Sequence, residues 1–161
     1  MSGVEVRPLS RLPASRARVG VPRWAGSLRP VTVVYDWRGP FSNVEVDALH
    51  AAAFGHQPTS LDRWSQLERH SLGWICARDE HGLVGFVNVP WDGASHAFIV
   101  DTIVAVRARH EGIGTRLVTI AVERAREARC EWLHVDFEAD LAPFYLGACG
   151  FRPTPAGLIR L

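Results

Sequence analysis

The sequence predicts an α/β (α+β) fold: a mixed, mostly antiparallel sheet with a central parallel βαβ unit flanked by helices. Three observations predict it. From residue 31 onward, runs rich in β-branched and aromatic residues alternate with segments of helical apolar spacing. Two of these runs, 72–78 and 83–89, are joined by the turn Glu80-His81-Gly82 and read as an antiparallel hairpin. A later strand, 96–106, leads into a strong helix, 112–129, and a further strand, 131–138, the pattern of a right-handed parallel crossover.

The remaining elements follow in order. Residues 31–37 are β-branched and aromatic, a first strand. Ser42 followed by Glu45 is a capping-box signature that opens a helix running to Phe54. Leu61, Trp64, Leu67 and Glu68 keep helical spacing within a second helix, 58–70. Trp91-Asp92-Gly93 turns the chain into the strand at 96–106. Leu117, Ile120, Ala121, Arg124 and Ala128 give helix 112–129 the periodicity of a helix packed on a sheet. A short helix, 140–149, carries Pro143 in its first turn, where a missing N–H does little harm, and Gly150 ends it. Residues 157–161 read as a final short strand.

Composition narrows the function. The 161 residues suit one domain, with no apolar run long enough to span a membrane and no signal-peptide core, so a cytoplasmic protein without a membrane partner is expected. All 18 basic residues are arginine, which removes lysine as a base or Schiff-base former. Residues 1–30 hold six arginines against Glu5, net +5, together with Pro8, Pro13, Pro22 and Pro30 and no apolar periodicity. They are expected to form a disordered Arg/Pro-rich extension ahead of a domain over 31–161. The rest of the chain sets 12 arginines against 16 acids, net −4, which disfavours nucleic acid and is compatible with an amine substrate. Cys76, Cys130 and Cys149 are odd in number and match no ligand spacing, so reduced thiols and no metal are expected.

The informative segment runs from Val104 to Thr115, where a strand ends, a Gly-rich turn follows and a helix begins. Free N–H groups at a helix start bind phosphate, and glycines at 112 and 114 let the ligand approach. Asp101 lies mid-strand among Phe98, Ile99, Val100, Ile103 and Val104, where a carboxylate needs either a structural partner or a function. His134 and Asp136 share one face of their strand, as a buried pair or as a proton acceptor near neutral pH. Six tryptophans, Trp24, Trp37, Trp64, Trp74, Trp91 and Trp132, are core residues or acceptor-site walls.

Arg109-x-x-Gly112-x-Gly114, followed later by Ala142-Pro143-Phe144-Tyr145 and Gly150-Phe151, resembles the two signatures of the GNAT acetyltransferases. Element order extends the likeness over 31–161, and the motifs cover 83–151. The resemblance implies a GNAT-like sheet and acetyl-coenzyme A as co-substrate. Its pyrophosphate would lie on the amides around Arg109, His110, Gly112, Ile113, Gly114 and Thr115, and its arm along the backbone of Ile103 and Val104. A primary amine, from a small molecule or a protein, would take the acetyl group directly, and a homodimer is compatible with the family. Tyr145 would serve as general acid and His134 as base, while Asp101 is a further catalytic candidate from its place in the strand. Family members usually hold the tyrosine four residues before the Gly of Gly-Phe. Here Tyr145 stands five before Gly150, so either the short helix holds an extra residue or the acid is displaced. Two other readings remain: a non-catalytic acetyl-coenzyme A sensor on the same fold, and a dinucleotide-binding oxidoreductase. The second is opposed by Leu117 at the third-glycine position and by the short remainder after Asp136.

Overall fold

The computed structural model describes residues 32–161, so the segment expected to be disordered, 1–30, lies outside the described residues. Five strands form one sheet in sequence order: β1 (Val34–Trp37), β2 (Ser71–Asp79), β3 (Gly82–Pro90), β4 (His96–Val104) and β5 (Trp132–Val135). The first four run antiparallel and β5 lies parallel to β4. The parallel pair therefore ends the sheet rather than occupying its centre, because 157–161 adds no strand beside it. Leu158, Ile159 and Leu161 stay exposed there, since strand-forming side chains without a cross-strand partner gain no ladder.

Helix α1 (Asn43–Phe54) starts where the capping box places it. The Ser42 hydroxyl accepts from the Glu45 amide at 3.2 Å, and Glu45 Oε2 accepts from the Ser42 amide at 3.0 Å. Gly55, at φ 72°, closes the helix. Helix α2 (Arg63–His70) is shorter than its apolar spacing suggests, because Asp62 caps it by accepting from the Ser65 amide at 3.2 Å. The Asn43 side chain donates to Asp62 Oδ1 at 3.1 Å and accepts from the Trp64 amide at 2.9 Å, which joins the two helix starts.

Alternation along the hairpin divides the core into two layers. Trp74, Cys76 and Phe86 pack with Val46 of α1 and Leu67 of α2 on one face. Ile75, Ala77 and Val87 pack on the other with Leu117, Val118 and Ala121 of α3 (Ile113–Glu127). The α3 crossover carries the chain from β4 to β5. The expected helix at 140–149 resolves into a 3₁₀ turn, Ala139–Leu141, and a π-helical turn, Pro143–Ala148.

Glu45 also binds Arg78 of β2, with Nη1 to Oε1 at 2.8 Å. That hydrogen bond, helped by the Ser42 amide, lowers the Glu45 pKa to about 2. Because the folded value lies below the unfolded value of about 4.3, the contribution is complete above that pH and is lost as pH falls toward 2. Glu45→Gln should lower the melting temperature by about 2 °C at pH 7, the scale of a partly exposed ion pair. The gap should close between pH 4.5 and 2 in thermal scans followed by circular dichroism, within the window set by that shift.

Candidate active site

The site begins where β4 and β5 part. They pair from His96↔Trp132 to Ile99↔Val135, and no β5 partner exists beyond Ile99. On its other edge β4 stays bonded to β3 through Phe86↔Ile103 and Gly85↔Val104. Between Asn88↔Val100 and Phe86↔Ile103, three steps on β4 oppose two on β3. This is a β-bulge, and Asp101 takes the left-handed conformation there, at φ 54°. The bulge re-aims the strand: Ala97 and Ile99 point to the α3 core, whereas Ile103 beyond it is paired with Phe86 on the α1–α2 face.

At the far end of β4 the chain makes a short 3₁₀ turn, Val106–Ala108, before entering α3. Arg109 Nε donates to the Val104 carbonyl at 3.3 Å and Arg107 is bound to Asp79, which fixes the turn at both ends. His110 at φ 66° and Gly112 at φ 80° alternate with right-handed or extended residues. Among the described residues none of the amides from His110 to Thr115 donates a well-formed hydrogen bond, and α3 has no side-chain cap. Successive unpaired amides in such a turn form an anion nest, backed by the positive end of the helix. The glycines do different work here. Gly112 is needed for its left-handed φ, since a Cβ there would meet nothing within 4 Å. Gly114 is needed for packing, because a Cβ would lie 3.2 Å from the Phe144 ring. Glu111 lines a neighbouring cavity of about 260 Å³ with Asp79 and Arg107, so its charge has a cationic neighbour.

Tyr145 closes the α3 side of the fork. It is buried, stacked on Phe137 with centroids 4.9 Å apart and edge-on to Phe144 at 4.7 Å. Its turn is π-wound: the Cys149 amide donates to the Phe144 carbonyl, five residues back, at 2.9 Å. A π turn is how a helix absorbs one extra residue, so the unusual distance from Tyr145 to Gly150 is taken up inside the helix. Burial pushes the Tyr145 pKa up, and the neighbouring Thr102 hydroxyl offsets part of the rise. The two hydroxyls do not close a full hydrogen bond, and Thr102 Oγ1 is buried without a partner among the described residues.

On the opposite face, Asp101 meets α1 and α2. Its Oδ1 lies 3.4 Å from His50 Nε2 and its Oδ2 lies 3.5 Å from Arg63 Nη1. Arg63 is itself buried beside Asp47, with Nε to Oδ1 at 3.9 Å, and Asp47 accepts from the Thr59 hydroxyl at 2.7 Å. His50 Nδ1 is 2.6 Å from His56 Nε2. Burial is the main cause that holds the His50 pKa below its ordinary value, against the opposing pull of Asp101. His134 is not paired with Asp136, which lies beyond the last residue of β5. Its Nε2 is 2.8 Å from His96 Nδ1, and its ring stacks on both His96 and Phe98, at 5.0 and 4.9 Å.

The model of the acetyltransferase (GNAT) family matches residues 33–151. The chain belongs to this family. A GNAT-family acetyltransferase from Streptococcus pneumoniae is 22% identical, covers 81% of this chain and 98% of its own, and superposes with a TM-score of 0.67. A Trypanosoma brucei acetyltransferase is 18% identical over 81% of this chain and 99% of its own, with a TM-score of 0.66. AAC(6')-Iy, solved with the bisubstrate analogue CoA-S-monomethyl-acetylneamine, is 14% identical over 81% of this chain and 97% of its own, with a TM-score of 0.63. No curated protein matches the chain. No helix among the described residues is long and apolar enough to cross a membrane.

The fork of this GNAT domain thus gathers the nest, Ile103 and Val104 on the free edge of β4, Tyr145 on one face, and Asp101 and His134 on the other. Sequence reasoning missed four residues around them: His50, Arg63, His96 and Thr102. His50 is one turn from Val46 on α1, and that spacing marked its face as inward. Arg63 carried no signal beyond the adjacent Asp62 cap. The Arg63 ion pairs are too long to be hydrogen bonds, yet the guanidinium separates two carboxylates in a buried place. Arg63→Met keeps the stem and removes the charge. It should lower the unfolding free energy at pH 7 by about 3 kcal/mol, as for other broken buried pairs. Urea titrations of the two proteins at pH 7 measure the difference.

Proposed function

We propose that this domain is an N-acetyltransferase that moves the acetyl group of acetyl-coenzyme A directly onto a primary amine of a small molecule or a protein. The run of unpaired amides from His110 to Thr115, opening beside the unpaired edge of β4, carries the reading. The residues fit the co-substrate. The nest suits a diphosphate, and the free backbone of Ile103 and Val104 suits the amide groups of a pantetheine arm bound as an added strand. The buried, unpartnered Thr102 hydroxyl lies beside Tyr145 near the fork. The coenzyme A moiety of the analogue bound by the similar AAC(6')-Iy supports the same assignment.

When bound, acetyl-coenzyme A supplies an activated acyl carbon: the amine nitrogen forms a bond to it, the carbon–sulfur bond breaks, and the electron pair leaves on sulfur. The protein's part is placement and proton movement. Amides of β4 beyond Ile99 have no β5 partner and are available to polarise the acyl oxygen. Asp101 takes the proton that the ammonium must lose, directly or through water, with His50 behind it as a second acceptor. Tyr145 stays protonated because burial raises its pKa, and it donates to the departing sulfur. His134, tied to His96, forms part of the floor on the acceptor side. A purely sensing module would need the nest but none of these proton-handling groups.

Gly112→Asp places a negative charge in the nest and a side chain at φ 80°. It should abolish acetyl-coenzyme A binding in calorimetry while circular dichroism shows a folded domain; unchanged affinity would remove the nest from the reading. Tyr145→Phe deletes one hydroxyl and keeps the aromatic packing. Turnover should fall by about 10²-fold with coenzyme affinity intact, which separates proton donation from binding.

A further inference from the structure

The acceptor side of the fork has a chemistry of its own, and we infer that it selects a primary amine carrying an aromatic group. The inference rests on the acetyltransferase reading above. An arm bound along the free edge of β4 brings its acyl end to the fork, next to Ile99 and Val100. The α3 face is closed there, since Ile99 and Tyr145 are buried in the core. The amine must come from the α1 side.

Among the described residues, that side of the sheet is uncovered and aromatic. Phe98 is 42% exposed, Val100 38% and Trp132 51%. Phe98 sits across from His134 and His96 across from Trp132, so four rings share one face of two paired strands. His96, His134 and Phe98 already stack with interplanar angles of 19° and 22°, which leaves a flat platform. Next to it, toward the fork, lies the Asp101 cluster. Asp47 and Asp101 face a single guanidinium, that of Arg63, and burial lowers the pKa of the neighbouring His50. Two carboxylates thus share one guanidinium, an arrangement that favours an ammonium group. Phe98 and Asp101 are three residues apart on β4, about 8–10 Å at strand rise. An amine a few bonds from an aromatic ring reaches both, with the ring on Phe98 and His134 and the nitrogen at Asp101. A polycation such as spermidine would place its second ammonium over the rings of the platform. A carboxylate-bearing acceptor would meet an excess of negative charge.

The test uses the full-length chain, acetyl-coenzyme A and free-thiol detection, with phenethylamine and tryptamine against butylamine and spermidine. The aromatic amines should show kcat/KM at least about tenfold above butylamine. Phe98→Ala should raise KM for phenethylamine by about tenfold, change KM for butylamine little, and leave calorimetric affinity for acetyl-coenzyme A intact. Equal efficiency for phenethylamine and butylamine, or best use of spermidine, overturns the aromatic acceptor while the acetyltransferase reading stands. An effect of Phe98→Ala on sedimentation mass without one on KM overturns it too, and makes this face a contact between copies of the chain. Absence of acetyl-coenzyme A binding in the wild-type protein removes both readings.

Discussion

Unused hydrogen-bonding capacity in the backbone is the constraint around which this domain is organised. A strand inside a sheet normally satisfies both edges, but β4 does so only up to Ile99. Beyond that residue one edge is bonded to β3 and the other has no strand. The same shortage continues through the turn into α3, where successive amides from His110 onward find no protein acceptor among the described residues. Backbone groups left in this state are met by water or by a ligand, and under the proposed function one continuous line of them suits a ligand with acceptors along its length. An extended molecule with a diphosphate at one end and amides along its arm meets that demand. The rest of the domain holds the line open: α3 packs tightly against the sheet through Leu117, Val118 and Ala121, while β5 is only four residues long and cannot close the gap.

The bulge at Asp101 is what turns an opening into a site. Without the extra residue, alternation along β4 would place Asp101 with Ile99 toward α3, in an apolar layer with no counter-charge. One inserted residue reverses the faces, sets Ile103 opposite Phe86 and brings the carboxylate to His50 and Arg63. The positive φ at Asp101 is a local strain that the surrounding contacts offset. A similar device operates on the other side of the fork. The π turn over Pro143–Ala148 takes up one residue and lets Tyr145 stay in the core between Phe137 and Phe144. Both irregularities add a residue to a regular element, and both lie beside the fork.

This explains which features were legible in the sequence. The capping box at Ser42 and Glu45, the hairpin, and the βαβ crossover are local patterns, and each forms where its residues indicate. The nest was legible for the same reason, because a strand end, two glycines and a helix start are contiguous. The bulge was not, since Phe98 to Val104 reads as one continuous strand and one slip changes no residue type. The acidic cluster was hidden by distance along the chain: His50, Arg63 and Asp101 come from three elements and meet only through the fold. The Asp136 pairing that was one of two readings for His134 does not form, for a related reason. Period two puts the two on one face, but β5 ends at Val135 and the ring finds His96 across the parallel ladder instead. The strand expected at 157–161 failed because its pattern says nothing about whether an edge is there to receive it.

The charge distribution follows from the same geometry. A proton acceptor at the fork must be an anion that does not bind its own neighbours too tightly. A bidentate arginine pair, such as Arg107 with Asp79, holds its carboxyl at about 2 and makes it useless as a base. Asp101 is held differently. Its contacts to Arg63 and His50 are 3.5 and 3.4 Å, long enough to orient the carboxylate without consuming its acceptor capacity. Arg63 in turn is shared with Asp47, so its charge is divided between two acids. The buried guanidinium thus lies between the two carboxylates, and under the proposed function Asp101, the one nearer the fork, is the proton acceptor.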